Sequence, residues 1–169
     1  LDGQTMFKVE AITPAIGAKI SGVSLNKDLN SDTVEKIYNA LIKYQVIFFR
    51  EQNLTPESHL KLANSFGDID PGHPVYPHVE GFQSIVLLKN DSNSKPDTND
   101  WHKDLTFKSN PPFASILHGV SVPTVGGDTL WASMSAAYDS IPDGWKEDLE
   151  GLEAIHDMGT FRNGFYREG

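Results

Sequence analysis

The stretch "NDWHKDLTF" (residues 99–107) sets a histidine and an aspartate two positions apart among large apolar side chains. In an extended segment, side chains at i and i+2 share a face. His102 and Asp104 would then converge on one point while Trp101, Lys103 and Leu105 turn the other way. An imidazole beside a carboxylate begins the two-histidine, one-carboxylate arrangement that leaves open coordination positions on ferrous iron. The competing reading is a half-buried strand with incidental polar positions. Spacing alone does not choose between them. Six histidines and fourteen aspartates in 169 residues produce about 0.5 such triplets by chance, so the bare pattern has a high false-positive risk. A similar triplet, His78-Val79-Glu80, stands upstream as a rival.

Upstream of the quoted stretch the pattern is regular. "MFKVEAI" and "AKISGVSL" read as short strands around the Pro/Gly turn "TPAIG". From Asp32, the residues Val34, Ile37, Leu41 and Tyr44 recur at helical spacing, with Ser31 as the expected N-cap. "VIFFR" (46–50) is a short apolar run of strand length, expected to be buried. Thr55 and Pro56 open a second helix with Leu60, Ala63 and Phe66 on one face and Gly67 closing it. The order makes the first seventy residues an α/β layer. Beyond it, "HPVYPH" (73–78) carries two prolines and is expected to be irregular, and "SIVLL" (84–88) reads as a strand. A polar loop then leads into the quoted stretch. "FASILHGV" (113–120), "DTLWAS" (128–133) and "LEAIHD" read as further strands, and Ser135 to Tyr138 and Pro142 to Leu149 as short helices. No repeat, linker or low-complexity segment divides the chain.

Composition narrows the function. The chain is long enough for one domain with a real core. Its formal charge of −9 and pI near 5.0 argue against a nucleic-acid binder, which carries a basic face. No Lys/Arg cluster suggests a membrane surface, and no apolar run reaches membrane-spanning length. Without cysteine there is no disulfide framework, zinc-thiolate site or thiol nucleophile. A soluble cytoplasmic protein is expected. Residues 1–5 read as a non-native leader before Met6, and residues 6–169 as one domain.

The blocks "IGAKISGVSL", "YQVIFFREQNLTPE", "FGDIDPGHPVYPH", "NDWHKDLTF", "PPFASIL" and "GGDTLW" match one family in letters, order and separation. After Met6 the chain resembles the N-terminal half of taurine dioxygenase and its relatives, oxygenases dependent on Fe(II) and 2-oxoglutarate. The resemblance implies an α+β fold, a double-stranded β-helix (jelly roll) with flanking helices, incomplete in this chain. It implies that His102 and Asp104 are catalytic iron ligands and that Thr129 holds a carboxylate of 2-oxoglutarate. His73 and Tyr76 match residues lining the taurine pocket, the histidine facing the sulfonate, whose oxygens need donors. Thr160 and Phe161 fall near a serine–phenylalanine pair that touches substrate. The family's substrate-contacting asparagine is replaced by Thr98, with Asn99 next to it, which weakens the case for taurine itself. The implied reaction hydroxylates the carbon bearing sulfur and releases sulfite and an aldehyde. Trp101, Leu105, Phe107 and Trp131 are expected to shield the site from water.

Two groups the chemistry requires are missing from the pattern: a second histidine ligand and an arginine for 2-oxoglutarate. His156 with Arg167 imitates that pairing, but nothing like the family's preceding strand comes before His156, and "IHD" matches an earlier block. His156 is therefore expected to be structural, and the distal ligands are expected beyond Gly169. Partners are expected to be a small anion and O2, with no nucleic acid or membrane, and self-association into a homo-oligomer stays open. Alternatives are the same chemistry on an alkyl sulfate, another sulfonate or a small carboxylate, a non-catalytic jelly-roll domain, and a cupin-like hydrolase, for which no extra histidines stand near the pair.

Overall fold

The computed structural model describes residues 6–72, 76–93 and 100–157. They fall into two compact units, one built from the described residues within 1–68 and 117–150, the other from those within 69–116 and 151–169.

The first unit is organised by strands β1 (Lys8–Ala11), β2 (Ala18–Ser21) and β3 (Ile47–Phe49), in sheet order β1-β2-β3. β1 and β2 are antiparallel, pairing Lys8 with Ser21 and Ala11 with Ala18. Their connection closes where the Ile12 amide donates to the Gly17 carbonyl, with Gly17 at φ +93°, a conformation open to glycine at little cost. β2 and β3 are parallel, in register from Ala18–Ile47 to Ile20–Phe49. A parallel pair needs a long crossover, and helix α1 (Ser31–Tyr44) supplies it. The small core holds Ala18 and Ile20 of β2, Ile37 and Ala40 of α1, Leu25, and Leu62 of helix α2 (Pro56–Asn64). β3 is half-buried rather than fully covered.

The cap of α1 is Asn30, not Ser31. Its side-chain oxygen accepts from the Thr33 amide at 2.8 Å, and the amide that Ser31 would have capped, Val34, already donates to the Asn30 carbonyl. Neighbouring residues of similar capping strength cannot be ranked by pattern. At α2 the expected signal holds: Thr55 and Ser58 form a reciprocal capping box with Pro56 in the first turn. The helix stops at Asn64, ahead of Gly67. Gln52 ties the exits of β2 and β3 together, accepting from the Leu25 amide and donating to the Val23 and Arg50 carbonyls. In the same unit Phe48 meets Trp131 edge to face, with ring centroids 5.4 Å apart. The helices α3 (Met134–Asp139) and α4 (Asp143–Leu149) lie where the sequence places them.

The second unit contains a hairpin of β4 (His78–Val79) and β5 (Phe82–Val86), turning at Gly81 and extended by the Leu87 amide donating to the Pro77 carbonyl. His78, expected in an irregular stretch, thus belongs to a strand.

The segments 113–120, 128–133 and 152–157 form no ladder among the described residues. Apolar composition makes a segment competent for a sheet, but a strand exists only with a hydrogen-bonding neighbour, and none of these segments is paired in a ladder among the described residues. Many of their apolar side chains are exposed, Leu117, Val120, Leu130 and Ile155 among them. Among the described residues, no helix is long and apolar enough to cross a membrane.

Candidate metal centre

Within the second unit, residues 101–103 are irregular and 104–107 form a turn, closed by the Lys108 amide donating to the Leu105 carbonyl at 3.1 Å. Leu105 takes φ +53°, a left-handed conformation costing a branched side chain roughly 1–2 kcal/mol. The pair therefore sits at the mouth of a tight turn rather than on a strand. The convergence expected of His102 and Asp104 is present all the same.

His102 Nε2 lies 3.2 Å from Asp104 Oδ1, and His102 Nδ1 lies 2.8 Å from the Asp100 carbonyl oxygen. A carbonyl can only accept, so Nδ1 carries the hydrogen of that bond, and in the neutral ring Nε2 is left with its lone pair. Nε2 and the carboxylate oxygen are then two acceptors face to face, a contact satisfied by a shared proton or by a cation that both ligate. The spacing suits a cation: two neighbouring ligands of an octahedral site with bonds of about 2.2 Å stand about 3.1 Å apart. The Asp100 contact is of the kind that fixes ring orientation in metal-binding histidines. Both side chains are open to solvent, 54% and 69% exposed, so a ligand can approach. The residues fit a divalent metal as two of its protein ligands. No group of three or more candidate ligands exists among the described residues.

The rival triplet lacks this geometry. No ion pair joins His78 to Glu80, and His78 Nδ1 is buried without a hydrogen-bond partner. Tyr76 is half-buried just ahead of β4. Thr129 is exposed in an irregular segment of the first unit. His73, Thr98, Asn99, Thr160 and Phe161 lie outside the described residues. The expected apolar shield is not uniform: Trp101 is 71% exposed, Leu105 is half-buried, and Trp131 packs on Phe48.

Two contacts made by residues of the turn and its exit have no sequence signal. Lys108 Nζ meets Asp70 Oδ2 at 2.6 Å, and His156 Nδ1 meets Thr106 Oγ1 at 2.9 Å. Separations of 38 and 50 residues leave no periodicity to read. His156 thus touches the turn through Thr106.

Comparisons with known proteins bear on the family of the chain as a whole. The chain is 39% identical over 151 residues to an alkylsulfatase of Acinetobacter baylyi, covering 89% of this chain and 47% of the relative. It is 41% identical over 149 residues to an alpha-ketoglutarate-dependent sulfate ester dioxygenase of Pseudomonas putida, covering 88% and 48%. The solved structure of a taurine dioxygenase from Burkholderia xenovorans superposes with a TM-score of 0.74 at 37% identity, over 86% of this chain and 51% of that one. The chain spans about half the length of the curated relatives it matches. The pattern of one family matches residues 8–168, nearly the whole chain, and the chain belongs to that family: taurine catabolism dioxygenase TauD, TfdA.

Proposed function

We propose that the protein is an Fe(II)- and 2-oxoglutarate-dependent dioxygenase acting on a small organosulfur anion, an alkyl sulfate or a sulfonate such as taurine. In this reading residues 6–169 are the N-terminal part of one cytoplasmic oxygenase domain of jelly-roll type. The observation that carries it is the approach of His102 Nε2 to Asp104 Oδ1 with Nδ1 engaged by Asp100, together with membership of the family.

Fe(II) with 2-oxoglutarate supplies the oxidation, in which O2 is consumed, 2-oxoglutarate leaves as succinate and carbon dioxide, and one oxygen atom enters a C–H bond of the substrate. His102 and Asp104 would hold the metal, and the Asp100 carbonyl would keep the imidazole in the tautomer that presents Nε2. Thr129 is assigned to a carboxylate of 2-oxoglutarate. His73, Tyr76, Thr98, Asn99 and Phe161 are assigned to the substrate, where hydrogen-bond donors orient a sulfur oxyanion and aromatic faces exclude water.

The substrate class is a choice between two leaving groups. Oxygen inserted at the carbon of a C–O–S linkage gives an unstable hemiacetal ester that releases sulfate and an aldehyde. Oxygen inserted at a C–S carbon releases sulfite and an aldehyde. Two relatives named for sulfate esters support the first reading, as does Thr98 in place of the asparagine that contacts taurine. The taurine dioxygenase structure supports the second. Supplying O2, Fe(II) and 2-oxoglutarate with hexyl sulfate or taurine, and measuring succinate, sulfate and sulfite, decides the class. Succinate release stimulated by neither compound and no Fe(II) binding by the full-length protein would overturn the proposal.

A further inference from the structure

The turn that carries Asp104 has a support built from opposite charges. Among the described lysine–carboxylate pairs, most have at least one side chain well exposed to water. In Lys108–Asp70 both are about two-thirds buried, at 35% and 31% exposure. Partial burial weakens solvent screening, so this pair is held more firmly than a surface bridge.

Its two ends are anchored differently. On one side, the Lys108 amide closes the turn onto the Leu105 carbonyl, so the Lys108 backbone is part of the turn holding Asp104. On the other, Asp70 uses its second oxygen to accept from the Gly72 amide at 3.2 Å. Gly72 in turn runs hard against the Gln83 backbone of β5. The links form a continuous path from β5 through Gly72, Asp70 and Lys108 to the turn. Leu105 holds an unfavourable backbone conformation within that turn, and such strain persists only where the surroundings impose it.

We propose that Asp70 and Lys108 are positioning residues that hold the His102–Asp104 pair in metal-binding geometry, an inference that rests on the proposed role of that pair. The ion pair draws the turn onto the hairpin and offsets the strain at Leu105. Without it the turn relaxes, Asp104 leaves its place beside His102, and metal affinity falls. Outer-shell partners of metal ligands change affinity by about 10–100-fold, and the same range is expected here.

The test is anaerobic Fe(II) titration of the full-length protein, read by tryptophan fluorescence and by the visible band formed with 2-oxoglutarate, alongside thermal unfolding of the metal-free form. Asp70→Asn is the informative variant, since it keeps an oxygen for the Gly72 amide and removes the charge that pairs with Lys108. Asp70→Asn and Lys108→Met are expected to raise the Fe(II) dissociation constant about tenfold or more, while Lys108→Arg stays within about threefold of the parent because it keeps the charge. A folded Asp70→Asn that binds Fe(II) as tightly as the parent overturns the proposal. If Lys108→Met fails to fold, Asp70→Asn and Lys108→Arg decide it. Loss of metal binding in His102→Ala with no change in Asp70→Asn defeats the support and leaves the site standing. A parent protein that binds no Fe(II) defeats the site itself.

Discussion

Gly72 passes so close to Gln83 that a β-carbon built on it would stand 2.4 Å from the Gln83 carbonyl oxygen and 3.1 Å from the His78 ring, with Gly72 at φ +103°. Backbone cannot yield as a flexible side chain does. Gly72→Ala is therefore expected to destabilise the hairpin unit by roughly 2 kcal/mol or more, the sum of a left-handed penalty and a steric one. Gly144 is the control: it lies inside α4 with open space around its would-be β-carbon. Gly144→Ala should stabilise by about 0.4–1 kcal/mol through the unfolded chain. Urea unfolding of the two variants should move the midpoint in opposite directions.

His102→Ala is expected to abolish the visible band of the complex with Fe(II) and 2-oxoglutarate, and Asp104→Ala to do the same. Asp104→Asn keeps the shape and removes the charge, so Fe(II) affinity should fall steeply while thermal stability stays within about 0.5 kcal/mol, as expected at an exposed position. Anaerobic titration separates the two effects. A band unchanged in His102→Ala would show that the metal, if bound, is held elsewhere.

What the chain reveals by itself depends on how local the cause is. The first unit is legible because its devices act within a few residues: the turn at Gly17, the 3.6-residue spacing of Val34, Ile37 and Leu41, and the Thr55–Pro56–Ser58 cap. The convergence of His102 and Asp104 is legible for the same reason, although a turn achieves it in place of a strand. The segments 113–120 and 128–133 are apolar enough for a sheet, but a ladder depends on a neighbour that their own letters do not name. Asp70–Lys108 and Thr106–His156 are invisible because each joins distant residues through the fold. Of the residues assigned to substrate, only Tyr76 lies among those described.

The helix caps give a sharp contrast. Asn30→Ala removes the oxygen that accepts from Thr33 and should cost about 1 kcal/mol, whereas Ser31→Ala should cost little. Thr55→Ala should cost about 1 kcal/mol and also shift Glu57. The Glu57 carboxyl is held below its ordinary 4.5, first by its own backbone amide and then by the Thr55 side chain. A depressed carboxylate stabilises the fold above its unfolded pKa, and that contribution fades as pH falls through the lowered value. Removing Thr55 should move the Glu57 titration upward in an NMR pH series.

Gln52 is the last strut to test. One amide group accepts from Leu25 at 2.8 Å and donates to Arg50 at 2.9 Å and Val23 at 3.3 Å, spanning the exits of two parallel strands. Leu25 is nearly buried at 5% exposure, so its amide has little access to water once Gln52 is gone. An orphaned buried donor costs about 1–3 kcal/mol, and Gln52→Ala should lose that much with an unchanged urea m-value. Gln52→Glu distinguishes acceptor from donor. It retains an oxygen for Leu25 but sets a carboxylate against the Arg50 and Val23 carbonyls, replacing two attractions with two repulsions. It should cost at least as much as the alanine variant. If Gln52→Glu instead matches the parent, the two donated bonds carry no weight and the strut reduces to a single contact.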